Sequence, residues 1–115
     1  MASNSISVVG LGYIGLPTAA ILASKQNNVI GLEINQEVVD KINSGKIHIV
    51  EPELENLVKS SVSKNFLRAV SKPVPSEVFL IAVPTPLKKS NGKDGIPMPD
   101  LSFIKSAVNS IGKVL

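Results

Sequence analysis

Three glycines and one glutamate are the residues whose types and spacing could do chemistry in this 115-residue chain. Gly10, Gly12 and Gly15 spell G-x-G-x-x-G within Val8-Val9-Gly10-Leu11-Gly12-Tyr13-Ile14-Gly15-Leu16-Pro17. The first glycine lets the chain turn sharply off a strand. The second removes a Cβ where a pyrophosphate must come close, and the third lets the following helix pack tightly on that strand. The helix would also offer unpaired backbone N–H groups and the positive end of its dipole to an anion. Three glycines alone say little, so their surroundings decide. Ile6, Val8 and Val9 precede them, and Ala19-Ala20-Ile21-Leu22-Ala23 follow as a small-residue helix. A second apolar run, Asn28-Val29-Ile30-Gly31-Leu32, ends at Glu33, 18 positions past Gly15. An acid at that point can accept the ribose hydroxyls of a dinucleotide's adenosine. The competing reading, a glycine loop between core elements with a surface glutamate nearby, needs strand, helix and acid to coincide by chance.

The elements that must position these residues can be read in order. Ser5 to Val9 is predicted as a central parallel strand, followed by a helix from Tyr13 or Ile14 to about Lys25. Gln26-Asn27-Asn28 makes a turn, and Val29 to Glu33 is the second strand, which completes one β-α-β unit. Asn35 is a predicted N-cap for a helix carrying Val38, Val39 and Ile42, and Gly45 stands where a helix end wants a positive φ. Lys46 to Val50 is an apolar connection. A third helix starts at Glu51-Pro52-Glu53, buries Leu54, Leu57, Val58 and Val62, and stops near Asn65.

Leu67 to Ser71 is a short predicted strand. Glu77 to Val83 is a stronger one, whose six consecutive apolar residues predict burial on both faces. Pro84-Thr85-Pro86 ends it. The glycine-, proline- and lysine-rich stretch from Leu87 to Pro99 is expected to hold no regular structure. Asp100 then caps a last helix with Leu101, Ile104, Val108, Ile111 and Leu115 at helical spacing.

Alternating strands and helices with short links predict an α/β fold of the Rossmann type: a doubly wound parallel sheet with the first strand central. Gly10–Gly15, Glu33 and Pro84–Pro86 all follow the carboxyl ends of predicted strands, so they converge on one edge of the sheet. One domain occupies residues 1–115. With no cysteine there is neither a disulfide nor a thiol nucleophile, and no ligand set for a metal stands out. The net charge of +3 comes from scattered lysines without interleaved aromatics, which argues against nucleic acid. Lys88, Lys89 and Lys93 read as a solvated loop. No leader peptide and no apolar run long enough for a membrane is visible, so a soluble cytoplasmic protein is expected. His48, the only histidine, has no partner carboxylate at ligand spacing and reads as structural or surface. Glu51 and Glu53 read as helix-start charges.

Gly10-Leu11-Gly12-Tyr13-Ile14-Gly15-Leu16-Pro17, Ala82-Val83-Pro84-Thr85-Pro86 and Ile47-His48-Ile49-Val50-Glu51-Pro52-Glu53-Leu54 together resemble the UDP-glucose/UDP-mannosamine dehydrogenase family, in its UDP-N-acetyl-D-mannosamine branch. The resemblance implies oxidation of a UDP-sugar C6 alcohol to a carboxylate in two NAD-linked hydride transfers, through a thiohemiacetal on a cysteine. It implies that Tyr13 and Ile14 give backbone N–H groups to the pyrophosphate, that Glu33 accepts the ribose hydroxyls, and that Val83, Pro84 and Thr85 touch the cofactor. The family more often has aspartate where Glu33 stands. A carboxylate flanked by Ile34 and Asn35, without an arginine, favours NAD over NADP.

The family's cysteine, lysine and later glutamate are not among these residues, and one more strand is expected after the last helix. The sheet is therefore expected to be truncated, the chain to be the N-terminal part of a longer enzyme, and the 115 residues to be inactive alone. An uncovered edge strand and helix face are expected to drive homo-oligomer formation. Two alternatives remain open at this point. One is a free-standing dinucleotide-sensing regulatory module, and the other a hydroxyacid dehydrogenase with a similar fingerprint.

Overall fold

The structure is a computed structural model that describes residues 5–88 and 98–114. Four parallel strands form its sheet in the order β3-β2-β1-β4: β1 (Ser5–Val9), β2 (Asn28–Leu32), β3 (Leu67–Val70) and β4 (Val78–Ile81). β1 lies centrally, as the burial of Ile6, Val8 and Val9 on both its faces requires, with Ser5 opposite Asn28 and Ile6 opposite Val78. Of its two serines, Ser7 is buried and hydrogen-bonded through Oγ to Ser76 Oγ. Burial of that hydroxyl is thereby compensated.

Three helices lie in the connections between the first three strands: α1 (Gly15–Ser24) between β1 and β2, and α2 (Gln36–Asn43) and α3 (Pro52–Ser63) in succession between β2 and β3. α1 starts one or two residues later than the sequence reading, at the third glycine. Pro17 therefore sits inside its first turn, where a missing N–H costs least. Asn35 caps α2 as expected, its Oδ1 accepting from the Glu37 N–H at 3.0 Å. Gly45 follows that helix with φ 82°. Leu16, Ala19, Ala20, Ile42, Leu54 and Val58 pack with Val8, Val29 and Leu67 into the main core. α1 and α3 both end with a non-glycine residue in the left-handed region, Gln26 (φ 68°) and Asn65 (φ 64°). Ile47 and Ile49 from the α2–α3 connection pack against this core, while Val50 stands in solvent.

The last third of the chain departs from the sequence reading. β4 is shorter than Glu77–Val83, although its backbone ladder extends from Glu77 N–H on Ser5 O to Ala82 N–H on Val9 O. It is not buried on both faces, for Val78, Leu80 and Ile81 are exposed. The physical reason is its place at the edge of the sheet. A run of apolar residues shows that a surface favours cover, not that the described residues supply it.

The stretch after Pro86 also holds regular structure at both ends. β5 (Leu87–Lys88) and β6 (Met98–Pro99) pair antiparallel, and Asp100 N–H donates to Pro86 O at 2.7 Å. Pairing across the neck satisfies backbone groups that a wholly irregular loop would leave to water. Lys89 and Lys93 lie outside the described residues.

α4 (Ser102–Gly112) covers the second face of the sheet. Asp100 serves its start from one residue further out than expected, Oδ1 accepting from Ser102 N–H at 3.0 Å while Leu101 holds the N-cap position. Its buried residues are Ala107 and Ile111, whereas Leu101 and Val108 of the predicted stripe are exposed. The helix has turned so that Phe103, Ala107 and Ser110 face the sheet's carboxyl edge. Leu115 lies outside the described residues. Among the described residues no helix is long and apolar enough to cross a membrane.

Candidate functional site: a cavity at the carboxyl edge of the sheet

The chain leaves β1 at Gly10, whose N–H donates to Leu32 O at 2.8 Å and whose φ is 96°. A side chain there would be strained, and its Cβ would lie 2.8 Å from Ala82 O. Gly15 opens α1 directly above, so close that a Cβ would overlap the Gly10 carbonyl oxygen. Gly12 differs from both. A Cβ added to it would meet no protein atom within 4 Å, and it would project at the rim of an open cavity. The three glycines thus do three jobs: a turn, a close packing contact and a cleared approach.

The cavity holds about 700 Å³ and lies where β1, β2, β3 and β4 end. Gly10, Gly12, Tyr13, Ile14, Glu33, Val83, Pro84 and Thr85 all line it. Eight of the nine predicted site residues therefore meet at one place. Gly15 does not line the cavity; it packs against the Gly10 carbonyl and so holds the turn closed. Among the described residues the Tyr13 and Ile14 N–H groups donate no hydrogen bond to the protein, and α1 has no acidic residue in its first turn. Two donors unpaired among the described residues, at the positive end of a helix, are suited to an anion.

Glu33 is held on both oxygens. Oε1 accepts from the Leu11 N–H at 3.2 Å and Oε2 from the Asn35 N–H at 2.9 Å. The longer side chain of glutamate thus reaches back to the glycine turn, and the carboxylate stands at the cavity wall with lone pairs to spare. Among the described residues it is the one charged side chain of the lining. With no lysine or arginine among the described lining residues, the wall favours a ribose hydroxyl and disfavours a 2′-phosphate.

Sequence reasoning missed part of the lining. Ile34, Ser71 and Pro73 close one end of the cavity, and Phe103, Ser106 and Ser110 close the other. Ser71 and Pro73 follow β3, so the rule that ligands sit at the carboxyl ends of parallel strands could have found them. Phe103, Ser106 and Ser110 recur at helical spacing on α4, but their apolar and small character gave no chemical signal. His48 does not line the cavity. It is half-buried in the α2–α3 connection with Nδ1 unpaired among the described residues.

Comparison with known proteins agrees with this geometry. Residues 4–115 match the UDP-glucose/GDP-mannose dehydrogenase family, NAD binding domain. The NDP-N-acetyl-D-galactosaminuronic acid dehydrogenase of Ralstonia nicotianae is 56% identical over 97% of this chain. The UDP-N-acetyl-D-mannosamine dehydrogenase of Escherichia coli K12 is 54% identical over 100% of it. The solved UDP-N-acetyl-mannosamine dehydrogenase of Staphylococcus aureus superposes with a TM-score of 0.86 at 39% identity, covering 96% of this chain and 26% of that one. The chain spans about a quarter of the length of the curated relatives it matches. A four-stranded parallel sheet, a glycine turn opening onto a cavity and an acid at the end of β2 are what an NAD-binding domain requires, and the chain belongs to the UDP-glucose/GDP-mannose dehydrogenase family as that domain.

Proposed function

We propose that these residues bind NAD for a UDP-N-acetyl-D-mannosamine 6-dehydrogenase, which oxidises the sugar C6 alcohol to a uronate in two NAD-linked steps. The observation that carries the reading is the convergence of Gly12, the Tyr13 and Ile14 N–H groups, Glu33 and Thr85 on one cavity. In it the Tyr13 and Ile14 N–H groups hold the pyrophosphate, Gly12 gives it room, and the Glu33 carboxylate takes the adenosine ribose hydroxyls. Val83, Pro84 and Thr85 border the cofactor from the end of β4. NAD, when bound, accepts the hydride; the chain's own part is to bind and orient it. The sugar and the covalent chemistry belong to parts of the enzyme outside these 115 residues, which contain no cysteine. On this reading the 115 residues alone do not turn over, a UDP-sugar is the whole enzyme's substrate, and the enzyme works in the cytoplasm as a homo-oligomer. The exposed side chains of Val78, Leu80 and Ile81 support association through the β4 edge, and light scattering of the protein measures it.

A second substrate is favoured by one finding: 56% identity to an NDP-N-acetyl-D-galactosaminuronic acid dehydrogenase. The sugar is decided by turnover with each nucleotide sugar. The cofactor is tested by calorimetric titration with NAD and NADP. NAD is expected to saturate with NADP much weaker. Glu33→Ala should weaken NAD by about 1.5–3 kcal/mol, the loss of a charge-assisted hydrogen bond. Undiminished NAD affinity in that variant would overturn the assignment of Glu33.

A further inference from the structure

We propose that Asn35 is a positioning residue for cofactor recognition, acting through Glu33 rather than on the cofactor. The inference rests on the reading of Glu33 as the acceptor of the adenosine ribose hydroxyls. Asn35 makes three connections at once. Its N–H donates to Glu33 Oε2 at 2.9 Å, its side-chain Oδ1 accepts from Glu37 N–H at 3.0 Å, and its carbonyl accepts from the N–H groups of Val38 and Val39, each at 3.1 Å. The side chain and carbonyl tie the residue to the first turn of α2, and the N–H ties the carboxylate to the residue. Val39 and Ile42 root that helix in the core. The cap therefore transmits the fixed position of α2 to a carboxylate that would otherwise swing on three rotatable bonds.

The second tether shows why the link matters. Glu33 Oε1 is held by Leu11 N–H at 3.2 Å, at the long end for a hydrogen bond, whereas the Asn35 contact is shorter. Without the cap, residues 34 to 37 lose their anchor, the Asn35 N–H moves, and the carboxylate keeps its weaker tether alone. Asn35 itself is exposed and does not line the cavity, so a change in its side chain removes no contact with the cofactor.

The test is the ratio of affinities for NAD and for its analogue lacking the adenosine 2′-hydroxyl, measured by calorimetry on the intact protein. That ratio reads the carboxylate–hydroxyl contact and is blind to a uniform loss of folded protein. The parent is expected to prefer NAD by about tenfold or more, the worth of a hydrogen bond to a charged group. Asn35→Ala should reduce that preference about fivefold, the fold-change of a lost N-cap. Asn35→Ser keeps a capping oxygen and should restore it. In a Glu33→Ala background, Asn35→Ala should change the ratio by less than about twofold, since the two act through one contact. An unchanged preference in Asn35→Ala, or no rescue by serine, overturns the role of Asn35 while leaving Glu33 intact. A parent-like preference in Glu33→Ala overturns the ribose reading and the inference together.

Discussion

The two faces of the sheet are finished differently. On one, α1, α2 and α3 bury Leu16, Ala19, Ala20, Ile42, Leu54 and Val58 against β1, β2 and β3. On the other, α4 is the one helix among the described residues, and it contributes Ala107 and Ile111 to a small cluster with Val9 and Leu32. The closed face fixes the glycine turn and the end of β2. The open face, with the β4 edge, supplies Phe103, Ser106, Ser110 and Thr85 to the cavity. The backbone groups of the glycine turn are thus mounted on the packed side, and the remaining wall is formed by a less deeply packed side. A binding site at a sheet edge needs one firm wall more than it needs two.

The contrast can be broken most directly by truncating one leucine in the closed core and one at the β4 edge. Leu16 is fully buried on the closed face, so Leu16→Ala should destabilise the protein by about 2–5 kcal/mol in denaturant titration. Leu80 on β4 is 38% exposed, and Leu80→Ala should cost less than about 1 kcal/mol. Equal costs would mean that β4 is as deeply packed as α1. The glycines sharpen the point within a single turn. Gly15→Ala drives a methyl into the Gly10 carbonyl and should lower both stability and NAD affinity, by about 1–3 kcal/mol in stability for an overpacked site. Gly12→Ala meets no protein atom, so it should leave the unfolding midpoint nearly unchanged while weakening NAD. If Gly12→Ala binds NAD normally, the clearance above Gly12 is not where the pyrophosphate lies. The smallest effect concerns the helix ends of the closed face. Gln26→Gly and Asn65→Gly should each raise stability by about 0.5–1 kcal/mol, because glycine accepts the left-handed conformation without the Cβ penalty.

The closed half was largely legible in the sequence, and the open half was not. β1, the Asn35 cap, the Gly45 turn, the Pro52 helix start and the short strand at Leu67 are all decided by local chemistry: apolar period, a capping oxygen, a fixed φ. Eight of the nine expected site residues line one cavity for the same reason, since strand ends and a glycine turn define an edge before any packing is known. β4 was misread because apolarity reports a tendency to be covered, and only tertiary structure shows which neighbours are present. The α4 face was misread by a small rotation because Ala107 is small enough to pass for neutral in a periodicity count, yet it is what lets the helix approach. The double tether of Glu33 had no sequence signal at all. It depends on one extra methylene reaching a backbone N–H 22 positions away.

The strand order also carries a kinetic consequence. Ser7 faces Ile30 on one side and Phe79 on the other, contacts that close loops of 23 and 72 residues. The longer closure costs about 1 kcal/mol more chain entropy at the start of folding, when no other contact yet offsets it. The β1–α1–β2 unit is therefore expected to assemble first, and the β4–α4 arm to close on it last. By the same ordering that arm opens first in the native protein, so its amides should exchange with deuterium ahead of those in β1 and β2. A cofactor reaching the cavity would find the glycine turn already set and the Thr85 wall still in motion.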